Sequence, residues 1–139
     1  MSATSGLTPS KANTIINQLT GYDSGSSVYL GLSTTTPVVS GNTVTYTEPS
    51  GNGYARVKLD SSLMNAAANG AATNKATIKF DEVTGSSWGQ ITHLVLFSSS
   101  TGDNPIGVAQ LTAPITPSVG SMPIFRVNNF GASITMYGS

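Results

Sequence analysis

The chain has 139 residues, six basic side chains balanced by six acidic ones, no cysteine, and only 9% charged residues; ordinary globular domains carry about a quarter. That length suits one domain with a real apolar core. Zero net charge and the scatter of Lys11, Arg56, Lys58, Lys75, Lys79 and Arg126 give no basic face for nucleic acid, thiolate metal sites and disulfides are excluded, and no apolar run approaches the ~20 residues of a membrane span.

The first residues, Met1-Ser2-Ala3-Thr4-Ser5-Gly6, lack the basic start and apolar centre of a signal peptide. Thr8-Pro9 then reads as a helix start, with Thr8 as N-cap and Pro9 at the first helical position, where its missing N–H costs nothing. Ala12, Ile15, Ile16 and Leu19 fall on one face and Gly21 supplies a stop. A helix of about three turns is unstable alone, so this face needs cover from the rest of the chain or from a neighbouring subunit.

After Gly25 the period changes to two. Strands are expected over Val28–Ser33, Thr43–Thr47, Tyr54–Asp60, Ala76–Phe80, Ile91–Phe97, Ile106–Thr112, Ile124–Val127 and Ala132–Tyr137, separated by Gly, Pro, Asn and Ser clusters. Ile91–Phe97 is nearly continuously apolar after His93, as in a strand covered on both faces. Leu63–Ala68 is the one later stretch whose alanine run suits a turn of helix. The pattern predicts an all-β fold, a single jelly-roll-like β-sandwich of about eight strands with a short N-terminal helix. Residues 1–25 would form an arm and 26–139 the sandwich domain. No internal repeat marks a fibrous shaft.

Little of the sequence suits catalysis. Gly51 and Gly53 prepare a tight turn ahead of Tyr54, with Arg56 placed to pair with Glu48 across it; the remaining role for Arg56 is a bound phosphate or partner carboxylate. The Gly-x-Gly precedes a strand, so it is no dinucleotide loop. Trp88, the sole tryptophan, is either an anchor at the core edge or a platform for stacking a sugar. His93 lacks a nucleophile motif or cysteine ligands around it. Asp81-Glu82 and Asp103-Asn104 follow no calcium-loop grammar and read as turn residues. The expectation is a non-enzyme without metal or cofactor.

Five stretches together carry a resemblance. They are Val28-Tyr29-Leu30-Gly31-Leu32-Ser33 with its Thr34–Pro37 tail, Glu48 through Gly53-Tyr54-Ala55-Arg56, Asn74 before Ile78-Lys79-Phe80, Trp88-Gly89-Gln90-Ile91-Thr92-His93 running to Phe97, and Thr101-Gly102 with the Ile134-Thr135-Met136 strand. In this order the chain resembles a family of small tailed-bacteriophage virion proteins, often labelled tail-fibre-like. Members carry Asp after the strand-ending Phe, where this chain has Ser98-Ser99-Ser100. The resemblance implies a structural protein on the exterior of a virion, an oligomer that contacts other capsid or tail subunits. Its small size favours a capsid-decoration or head-fibre-base module over a long shaft. The alternative is a tail-tip or tail-fibre-associated module that binds host-surface glycans, with Trp88 and the tyrosines stacking on the sugars. Ala12, Ile15, Ile16 and Leu19 are the candidate partner surface, and Gly51, Gly53, Tyr54 and Arg56 the structural turn.

Overall fold

Thr8 caps a helix as its sequence requires. In the computed structural model, which describes residues 8–133 except 24 and 26, the Thr8 hydroxyl accepts the Lys11 N–H at 3.3 Å and Pro9 opens α1 (Pro9–Leu19). Ten strands follow among the described residues: β1 (Val28–Ser33), β2 (Val38–Ser40), β3 (Thr43–Thr45), β4 (Val57–Leu59), β5 (Ala71–Thr73), β6 (Ile78–Lys79), β7 (Ile91–Phe97), β8 (Pro105–Ile115), β9 (Ile124–Phe125) and β10 (Gly131–Ser133). The fold is all-β with one short helix. One four-stranded sheet has the order β4-β1-β7-β8, and β10-β5, β2-β3 and β6-β9 form two-stranded ladders.

Two strands absent from the sequence expectation, β2 and β5, hang on two-residue turns. Asn69 and Gly70 both have positive φ, 53° and 73°, the backbone of a type I′ hairpin turn. Ala68 and Ala71 exchange N–H···O bonds of 2.9 and 3.1 Å across it. The expected helical turn over Leu63–Ala68 is therefore absent: Leu63 closes a turn from Asp60, and from Met64 the chain is extended, with Met64 bridged to Asn74 and Ala68 to Ala71. Gly41-Asn42 turns β2 into β3, Gly41 at φ 59° supplying the first position of a type II′ turn. The expected strand over Ala132–Tyr137 begins as β10, and its part from residue 134 lies outside the described residues.

The chain forms two compact units, one from Met1–Val28, Leu59–Ile78 and Phe125–Ser139, the other from Tyr29–Lys58 and Lys79–Ile124. In the first, α1 packs against β5 and β10. Ala12 and Ile16 are buried with Leu59, Met64, Ile78 and Phe130. Two helix amides reach the hairpin: Asn13 Oδ1 accepts the Gly70 N–H and Asn17 Oδ1 the Ala67 N–H, each at 2.8 Å. Gly21, at φ 78°, ends the helix where any Cβ would collide with the Leu59 carbonyl. The buried Asn74 ties this unit's segments together. Its Nδ2 donates to the carbonyls of Ala76 and Arg126 at 2.9 Å, and its Oδ1 accepts the Phe130 N–H at 3.0 Å.

In the second unit β7 is an inner strand, antiparallel to β1 on one side and β8 on the other. Both faces of the strand are covered, which accounts for the apolar run: Ile91 and the successive residues Leu94–Phe97 are buried, and only Thr92 and His93 are half-exposed. Leu30, Leu32, Phe80, Val83 and Trp88 complete this core.

Candidate functional site

Of the residues singled out between Glu48 and Arg56, the side chains of Glu48, Tyr54 and Arg56 meet in one half-buried cluster in the second unit, beside the exposed glycines of the turn. Gly51, Asn52 and Gly53 take successive φ values of 68°, 55° and 85°, a left-handed run that only Gly and Asn tolerate readily. At Gly53 a Cβ would also collide with the Glu82 carbonyl. The turn presents the Asn52 carbonyl to two donors, the Thr84 N–H at 2.9 Å and the Trp88 indole N–H at 2.8 Å. The next side chain, Tyr54, lies edge-on to the Trp88 ring with centroids 5.2 Å apart.

From there the Tyr54 hydroxyl donates to Glu48 Oε2 at 2.6 Å and accepts the Leu32 N–H at 3.0 Å. Arg56 meets the same carboxylate with a two-pronged fork, Nε to Oε2 at 2.9 Å and Nη2 to Oε1 at 2.7 Å. The Arg56 and Glu48 side chains are only 5% and 18% exposed. Nη1 donates to the Ser99 carbonyl at 2.9 Å and Asn104 Oδ1 at 3.4 Å, and Nη2 to the Gly102 carbonyl at 2.6 Å. All five guanidinium N–H groups are thus spent within the chain. No donor remains for a phosphate or a partner's carboxylate. The Arg56 guanidinium carbon sits 3.4 Å from the centre of the Phe97 ring, and Tyr46 packs edge-on to that ring. Gly31 of β1 completes the fit, since a Cβ there would lie 2.6 Å from Phe97 and 2.8 Å from the Tyr54 hydroxyl.

Electrostatics agree with a scaffold. Burial, and then the hydrogen bond to Glu48, push the Tyr54 phenol far above its ordinary pKa. Burial works against the Arg56 charge, but the Glu48 hydrogen bonds and charge outweigh it and hold the guanidinium above its ordinary value. Neither group is poised to exchange protons near neutrality.

The other singled-out residues lie elsewhere. Trp88 is 5% exposed, with its N–H on Asn52 and its ring against Tyr54 and Phe80, so it offers no platform for a sugar. His93 is half-exposed, its Nδ1 2.8 Å from the Thr92 hydroxyl. On the helix, Ala12 and Ile16 are covered by the chain's own first unit, while Ile15 and Leu19 stay half-buried. Arg56's three contacts in the 99–104 loop escaped the sequence reading, because chain separation hides them. The Ser98-Ser99-Ser100 stretch supplies one of them, through the Ser99 carbonyl.

A family model described as podophage GP4 fiber I protein gp80 matches residues 6–133. The chain belongs to this family. As a member of the podophage fibre I family it is a structural virion component related to fibres, one that associates with other virion proteins. No curated protein matches it. No helix among the described residues is long and apolar enough to cross a membrane. The fibre-family match spans both units and the whole Glu48–Arg56 cluster.

Proposed function

We infer that this chain is a non-enzymatic architectural module on the exterior of a podophage-like particle, serving as a fibre-base or decoration subunit. One observation carries the reading. The chain's most elaborate polar constellation, Glu48–Tyr54–Arg56, is wholly consumed in holding its own strands and loops, with every guanidinium donor satisfied. Charge chemistry is spent on shape. The low surface charge suits a subunit that sits beside many neighbours, because crowding then costs little repulsion. An antibody to the chain, used to label intact particles under the electron microscope, tests the reading. Label at the head or the fibre base supports it; absence of the chain from purified particles overturns it.

A second reading, a module that binds host glycans, draws on a different observation. In the first unit an open cleft of about 500 Å³ is lined by Thr14, Asn17, Tyr22, Asp23 and Ser61. One aromatic beside a carboxylate, an amide and hydroxyls is the composition that sugar hydroxyls and ring faces favour. A glycan array probed with the soluble chain and with Tyr22→Ala separates the two readings: signal lost in the variant favours the glycan.

A further inference from the structure

We propose that β8 is a docking edge for the β2–β3 ribbon of a second copy of this chain. The proposal rests on the architectural reading above and names the partner it implies. Among the described residues β8 is the outermost strand in the order β4-β1-β7-β8. It is eleven residues long, carries no charged side chain, and shows Ile106 and Val108 45% and 43% exposed. Open edges of this kind are ordinarily shortened or guarded by charge, because unpaired N–H and C=O groups recruit other strands. The opposite edge of the same sheet follows that rule: β4 has three residues with the exposed Lys58 in the middle. The sheet therefore has one guarded edge and one unguarded edge. Pro105 and Pro114 bound the open stretch, and since proline cannot donate to a ladder they limit where an added strand can register.

The occupant follows from the rest of the second unit. Among the described residues, β2 and β3 pair only with each other. Val38 and Val39, successive residues on opposite faces of the ribbon, are 60% and 59% exposed, so both faces of β2 are open among the described residues. An isolated two-stranded ribbon is marginal in water. From Val38 to Thr45 it has no charge, which matches the uncharged β8. The chain's other ladders suit β8 less well: β4 and β6 carry Lys58 and Lys79, Arg126 follows β9, and α1 packs on β5 and β10. Ribbon and edge are different surfaces, so the contact is heterologous and either closes into a ring or extends from copy to copy.

The test uses the full chain with Val108→Lys on β8 and Val39→Lys on the ribbon, both at exposed positions, with unchanged urea midpoints as the folding check. Light scattering after size exclusion should give an oligomer for the parent chain and a mass of 14.2 kDa for each variant. Mixing the two variants should restore one contact per pair and give a species of two chains, since each retains the half the other lacks. If Val108→Lys fails the folding check, Ile106→Lys replaces it. A monomeric parent, variants that stay oligomeric, or a mixture that stays monomeric would each overturn the proposal. Particle labelling in those cases would leave the architectural reading standing.

Discussion

Arg56 and Phe97 are stacked, the guanidinium carbon 3.4 Å from the ring centre, while the edge of the same guanidinium grips Glu48. The stack joins the end of the inner strand β7 to the turn from 48 to 56, so an ionic contact and an aromatic one fix the same loop. Removing either partner exposes the other to a poorer environment. Arg56→Ala should destabilise the chain by about 2–3 kcal/mol, because the half-buried Glu48 loses its fork but keeps the Tyr54 hydroxyl, and Arg56→Lys should recover only part of it because an ammonium cannot form the fork. Urea melts measure both; a change below about 1 kcal/mol for the alanine variant would place the pair among ordinary surface salt bridges.

Gly31 should tolerate no side chain. In Gly31→Ala the new methyl lies 2.6 Å from Phe97, 2.8 Å from the Tyr54 hydroxyl and 3.0 Å from Glu48. Overpacking of this kind costs about 1–3 kcal/mol. Phe97→Leu in the same background should return part of the loss, and strict additivity of the two substitutions would count against the contact.

The glycines of the 49–53 turn should separate strain from collision. Gly51 and Gly53 both have positive φ, but a Cβ at Gly51 meets nothing within 4 Å whereas one at Gly53 strikes the Glu82 carbonyl. Gly51→Ala should cost about 1 kcal/mol of backbone strain, and Gly53→Ala or Gly53→Val distinctly more, at least about 3 kcal/mol. Equal urea midpoints for the two alanine variants would contradict the close approach.

Stability should fall on the alkaline side. The Tyr54 phenol is raised above its ordinary 10.0, so above that pH the unfolded chain loses this proton while the folded chain keeps it. The stabilisation is complete below pH 10 and declines as pH rises, by up to about 1.4 kcal/mol per pH unit for each such group. Tyr46, raised by burial and its hydrogen bond to Asp103, adds in the same direction. Tyr54→Phe should start less stable and show a flatter decline in urea midpoints between about pH 9 and pH 11.5.

Asn74 should be irreplaceable by a residue of similar size. Its amide serves carbonyls in the 76 and 126 regions and the Phe130 N–H. Asn74→Leu should strand these buried groups and cost about 2–4 kcal/mol, and Asn74→Asp should fare no better, since a carboxylate cannot donate to two carbonyls. Amide hydrogen exchange at Phe130 provides the local readout: protection unchanged in Asn74→Leu would sink the assignment.

Local chemistry determined much of this protein. Thr8-Pro9 set the helix start, period-two patterning set most strands, and the nearly unbroken apolar run of β7 marked it as a strand covered on both faces, because each depends on residues adjacent in the chain. The Asn69-Gly70 and Gly41-Asn42 turns were equally local, yet the helix-forming run Ala66-Ala67-Ala68 masked the first, and β2 is too short to show a period. The pairing of Glu48 with Arg56 was legible because eight residues and a glycine turn bring the two together. Only the tertiary structure decided that Arg56 would also bind the 99–104 loop, that Gly31 would make room for Phe97, that Trp88 would face inward, and that β8 would be left at a sheet edge. Those outcomes depend on which distant strands lie side by side, and strand order is set by the sum of many weak contacts that no single stretch of sequence contains.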